Sequence, residues 1–163
     1  MGRLDNMQKA IYEVKNLIQS SKNIRKLLLH DTTNALNSSD IEYADADEYI
    51  VVSPVFDMTK SPFNKNTIIS IALAKGVEQE KQLLNSTVKI NILTQSNLWP
   101  LDNNKIRPME LSSLIIDLLD GKKTSTSHKF AFNSIDLLIA NENVNGYSLS
   151  FFVSEGSGRL GEF

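Results

Sequence analysis

The sequence predicts an α+β fold: a mostly antiparallel sheet with a helix packed on one face, preceded by N-terminal helices. Three observations predict it. Apolar alternations at residues 67–73 and 87–94 stand close enough to pair as a hairpin. A helix-period stripe follows at residues 107–119. Two more β-rich runs then flank a turn signal near the end of the chain. Strand runs joined by short turns, with one helix inserted, give α+β order. No repeat or linker divides the chain. Residues 1–153 therefore read as one domain, and residues 154–163 as a flexible Gly-rich C-terminal arm.

The elements can be justified in order. Asp5 or Asn6 caps a first helix whose apolar face is Met7, Ala10, Ile11, Val14, Leu17 and Ile18. A second helix carries Ile24, Leu27 and Leu28 on one side, with Arg25 and Lys26 projecting away. His30 falls at its end. Residues 37–47 read as a polar, acidic loop. The β-branched run at residues 49–53 predicts a strand that Pro54 confines to an edge or bend. Ile69, Ile71 and Leu73 mark the next strand, residues 76–85 a charged hairpin tip, and Val88, Ile90 and Ile92 its partner.

A turn-rich stretch at residues 97–105 leads to the clearest helix. Pro108 lies just inside its start, where the missing N–H costs nothing. Leu111, Leu114, Ile115 and Leu118 form its stripe, and Asp120-Gly121 supplies the stop. Phe130, Phe132, Ile135, Leu137 and Ile139 predict a strand broken by a bulge near Asn133-Ser134. Asn145-Gly146, the preferred pair for a tight hairpin turn, then leads to a last strand at residues 147–153.

Composition narrows the function classes. With 163 residues and 41% apolar content, the chain can bury a real core. Its net charge of −2 argues against a dedicated nucleic-acid binder. The absence of cysteine excludes disulfides, thiolate metal sites and a cysteine nucleophile. No apolar run reaches the roughly 20 residues that span a bilayer. The first residues lack the basic-then-apolar pattern of a signal peptide. The expectation is a soluble cytoplasmic chain without membrane partners.

No constellation announces catalysis. The acidic group from Asp40 to Glu48 lacks the spacing and glycine of a calcium loop, so it reads as a solvated loop. His30 and His128 lie far apart, with no HExxH spacing and no GxSxG elbow in the chain. Asp117 and Asp120 share a helix face and read as surface. Trp99, beside Pro100, reads as a packing anchor covering the sheet edge. Lys22, Arg25 and Lys26 form a compact basic group, read as a solvated helix face. No cofactor and no metal are expected, and no catalytic residue is assigned.

Several segments carry a family resemblance. Residues 23–36, Asn-Ile-Arg-Lys-Leu-Leu-Leu-His-Asp-Thr-Thr-Asn-Ala-Leu, resemble an N-terminal segment of the small neck and tail-terminator proteins of tailed bacteriophages. Val88-Lys-Ile-Asn-Ile92, and then Ile106-Arg-Pro-Met-Glu-Leu111 with its helix, resemble those proteins' central strand and arginine-proline helix. Residues 132–153 resemble their final strand–turn–strand. The Gly-rich arm departs from the pattern.

The resemblance implies a non-enzymatic virion protein that forms a ring, a hexamer, at the head–tail junction. It would end the tail tube and join it to the neck or connector. Implied partners are copies of the chain itself, the tail tube protein and the neck protein, with DNA passing through the channel without sequence-specific binding. The implied location is the virion, after assembly in the host cytoplasm. On this reading Glu110, Ser113 and Asp117 are candidate ring-surface residues, and Leu160 and Phe163 candidate arm contacts. Alternatives are a head-completion adaptor, a baseplate component, or a small hydrolase or metal-dependent enzyme using the acidic group at residues 40–48 or a hidden triad.

Overall fold

The structure, a computed structural model, describes residues 3–54, 59–60, 66–79 and 82–155. Helices α1 (Arg3–Ser20) and α2 (Lys22–Leu29) open the chain. Short 3-10 turns at Ala35–Asn37 and Ala44–Tyr49 lead to strand β1 (Ile50–Val51). Strands β2 (Ile68–Gln79) and β3 (Gln82–Gln95) form the expected hairpin. A miniature ribbon, β4 (Pro100–Leu101) with β5 (Lys105–Ile106), introduces helix α3 (Arg107–Leu119). Strands β6 (His128–Ile139) and β7 (Val144–Glu155) complete the fold. The main sheet has the order β1-β2-β3-β7-β6 and is antiparallel except for the β1–β2 pair. The predicted α+β class is the observed one.

Register explains the core. Ile71, Ile90 and Leu149 lie side by side on one face, as do Ile69, Ile92 and Tyr147. The helices lay Met7, Val14, Ile18, Leu27, Leu28, Leu111 and Ile115 onto this face in one continuous apolar cluster. Each fully buried side chain of this size contributes about 1.5–3 kcal/mol. The middle of the opposite face is polar, with Ser70, Asn91 and Ser148 in one row and Lys89 and Ser150 in the next, between buried Ile68 and Leu93 on one side and exposed Phe152 on the other.

Several local expectations change. Helix α1 starts at Arg3, before the cap expected at Asp5 or Asn6, and Asp5 falls in its first turn. The strand expected at 49–53 shrinks to two residues at the sheet edge, because the 3-10 turn runs through Tyr49. The acidic stretch, expected as loop, includes that same turn. On α3 the fully buried line is Leu111, Ile115 and Leu119, while Leu114 and Leu118 flank it. Asp120 and Gly121 end the helix as expected, with Gly121 at φ +78°.

The turn chemistry falls in a different place. Asn145-Gly146 lies inside β7, and residues 140–143 make the hairpin turn. There Asn141 Oδ1 accepts from the backbone N–H of Asn143 (2.8 Å) and Val144 (2.9 Å). Gly146 has a different reason to be glycine: a Cβ there would sit 1.8 Å from the Ile92 carbonyl oxygen of β3. The paired positive-φ turn belongs instead to Asn103 (φ 62°) and Asn104 (φ 60°), between β4 and β5. Strand β7 continues through Ser154 and Glu155, into the span expected as an arm. The rest of that arm, with Leu160 and Phe163, lies outside the described residues.

Candidate functional site

Two arginines organise the helical layer. Arg107, 1% exposed, is the largest fully buried side chain among the described residues. Its Nε donates to the Leu98 carbonyl (2.8 Å). Nη1 donates to the carbonyls of Leu27 (2.6 Å) and His30 (2.8 Å), and Nη2 to that of Thr32 (2.9 Å). These include carbonyls that the end of α2 leaves without helical partners. Burial pushes the guanidinium pKa down, and nearby Asp31 opposes the shift. It stays charged, since arginine does not lose its proton in proteins. Sequence reasoning gave Arg107 no role. Its α2 and loop partners lie 75 to 80 residues away, so no local pattern marks it.

Arg25 does the same for α1. Expected to project away, it is instead buried. Its Nη1 donates to the Gln19 carbonyl (2.9 Å) and its Nε to the Ile41 carbonyl (2.7 Å). Lys26 is largely covered too, and pairs with Asp40 (3.4 Å). The basic group at residues 22–26 is therefore not a solvated face; only Lys22 keeps that character. The hydrogen bond from Lys26, with Lys22 adding charge, holds the Asp40 carboxyl below its ordinary pKa. Asp47 pairs with Lys15 (3.0 Å). Among the described residues no three His, Asp or Glu side chains gather where a metal ion could sit.

The two histidines also stay apart. His30 caps α2 and its Nε2 lies 2.8 Å from the Ser39 carbonyl. His128, fully enclosed, begins β6. Its Nδ1 contacts Thr126 Oγ1 (2.8 Å), while Nε2 has no partner. Burial pushes its pKa down, against the opposing charge of Glu155. Trp99 packs on Tyr147 of β7, with ring centres 6.0 Å apart, as a packing anchor would.

The surface that stands out is the outer edge of the sheet. Strand β6 has two halves, separated by a register shift between Phe132 and Ser134. Along the first half, residues 120–124 cover the edge. Phe130 N–H donates to the Lys122 carbonyl (2.9 Å), Gly121 N–H to the Phe130 carbonyl (2.8 Å), and Thr124 N–H to the His128 carbonyl (2.8 Å). Asp120 Oδ1 accepts from Phe132 N–H (2.9 Å). Beyond the bulge this cover stops.

The backbone direction of the second half follows from one bond. Ala140 N–H donates to the Val144 carbonyl (3.1 Å), so the even-numbered residues turn their backbone groups toward β7. Ile135, Leu137 and Ile139 turn theirs outward, and no described strand bonds to those outward groups. The same three carry exposed apolar side chains: 42% for Ile135, 61% for Leu137 and 67% for Ile139. They lie on the helix-bearing face, opposite Leu149, Tyr147 and Asn145. On helix α3 Met109, Ser113, Ile116 and Asp120 follow one another as a stripe at helical spacing, and Asp120 at its C-terminal end bonds Phe132 of β6. Met109 is half exposed.

The interface residues expected from the sequence divide accordingly. Ser113 is exposed on that stripe. Asp117 is exposed farther round the helix, on the same side as Glu110 two turns earlier, which pairs with Lys105 (3.6 Å). Leu160 and Phe163 lie outside the described residues. The apolar edge was missed as a surface: Ile135, Leu137 and Ile139 read in sequence as ordinary strand alternation.

Fold and surface define an α+β chain with one helix-covered sheet face and an open apolar edge. The model of the YomW family matches residues 21–153, and the chain belongs to that family. The family takes its name from a gene of the SPbeta phage region of Bacillus, which makes this a phage-related protein. No curated protein matches the chain. No helix among the described residues is long and apolar enough to cross a membrane.

Proposed function

We propose that this chain is a structural virion protein that assembles as a ring, a hexamer, at the head–tail junction. There it ends the tail tube and joins it to the neck or connector. It works by geometry, without catalysis or cofactor. The observation that carries the reading is the open apolar edge of β6, a surface suited to protein contact. A closed ring needs two different surfaces on each subunit. Helix α1 adds two exposed apolar side chains, Leu4 and Tyr12, both more than half exposed. The phage-related family agrees with a virion role. Glu110, Ser113 and Asp117 are then polar contacts to neighbouring rings, and the arm with Leu160 and Phe163 an added grip between subunits.

Cryo-electron microscopy of the particle, with mass spectrometry of purified virions, tests this. The expected result is sixfold density for this chain between head and tail tube. A particle without the chain overturns the reading, and twelvefold density would make it an adaptor instead.

A further inference from the structure

The second half of β6 is complementary to itself. Consider a second copy laid antiparallel along the open edge, with Leu137 on the two-fold axis. Leu137 then faces Leu137 of the second copy, and Ile135 faces Ile139. These are the residues whose N–H and C=O groups point outward, so each pair can exchange both backbone bonds. On the same face three apolar side chains meet three apolar side chains. On the other face Asp136 falls opposite Leu138, so no like charges oppose each other. Other registers lose one of these matches. A shift by one residue sets inward-bonded residues against outward-bonded ones, and a centre on Asp136 puts two carboxylates face to face.

We infer that the free chain pairs with a second copy of itself through β6, in the register centred on Leu137. The pairing joins two sheets edge to edge and hides an edge that is otherwise a template for aggregation. The bulge at Asn133 sets its limit, because before it residues 120–124 already occupy the edge. The pair occupies the edge that the ring reading also uses, so it is a state of the free chain that must open before a ring can close, and the inference does not depend on the ring reading.

The chain has no cysteine, so introduced thiols report the register cleanly. In the inferred pair the two Leu137 Cα atoms stand about 5.5 Å apart, within disulfide range. Under mild oxidation Leu137→Cys should form a covalent dimer. Ile135→Cys alone and Ile139→Cys alone should not, while a mixture of the two should. Light scattering should give the mass of two chains for the unmodified protein. It should give one chain of 18.2 kDa for Leu137→Lys, with an unchanged circular dichroism spectrum. A single-chain mass for the unmodified protein overturns the inference, as does cross-linking of Ile135→Cys alone as readily as Leu137→Cys. A hexamer that survives Leu137→Lys overturns it and leaves the ring reading standing. A dimer from a chain absent from virions does the reverse.

Discussion

The two halves of strand β6 share one apolar alternation but have opposite surroundings. Phe130 and Phe132 point into the core, where both rings meet Phe151 edge-on at centre distances of 6.4 and 5.7 Å. Ile135, Leu137 and Ile139 project from the same face into solvent. The difference lies in what stands over and beside them. The C-terminal end of α3 and residues 120–124 close over the first half, and neither reaches past the bulge. An apolar side chain in a strand therefore reports a surface that suits burial. Which surface buries it is decided elsewhere.

The largest effect expected from this contrast is in the covered half. Phe130→Ala should cost about 3–5 kcal/mol, because it deletes a fully enclosed ring. Urea denaturation checks it. Next comes the anchor of the cover itself. Arg107→Met should cost on the order of 3 kcal/mol, since it strands buried carbonyls at the end of α2. Arg107→Lys should recover little, because an ammonium cannot reproduce the fork.

Smaller effects sharpen the boundary between the halves. Asp120→Ala removes the bond to Phe132 N–H and should cost about 1–2 kcal/mol. Hydrogen exchange at Phe132 should speed up, while that at Leu137, beyond the bulge, should not. His128 adds a pH dependence to the covered half. Its folded pKa lies below its ordinary value of 6.5, so the unfolded chain binds the proton more readily. The stability it contributes is complete above that ordinary value and is lost as pH falls through the depressed one. Urea midpoints for the unmodified protein should drop across this window more than those of His128→Gln. The smallest effect belongs to the open half: at chain concentrations low enough to separate the inferred pair, Leu137→Ser should change unfolding stability by no more than about 0.5 kcal/mol. A large loss under those conditions would mean that the chain itself covers the open half.

Much of the fold was legible because its causes are local. Helical spacing on α1 and α3, Pro108 at a helix start, Gly121 at its end and the bulge near Asn133 all follow from neighbouring residues. Asn145-Gly146 misled because two needs favour glycine. A tight turn wants positive φ, but here a carbonyl of β3 leaves no room for a Cβ. The candidate site was less legible. Arg25 looked like a surface cation and Arg107 had no reading, and the burial of both depends on distant carbonyls.

By itself the sequence determined the type and order of the longer elements, α1, α2, α3, β2, β3, β6 and β7, and most of the apolar face of each. These rest on periodicity and on backbone preferences of single residues, which act within a few positions. Tertiary structure decided which apolar positions are covered, which cations are buried and where the sheet stays open. Those outcomes depend on how far a helix or loop extends over residues remote in sequence. At β6 the cover stops at the bulge, and the three apolar residues beyond it are left as a surface.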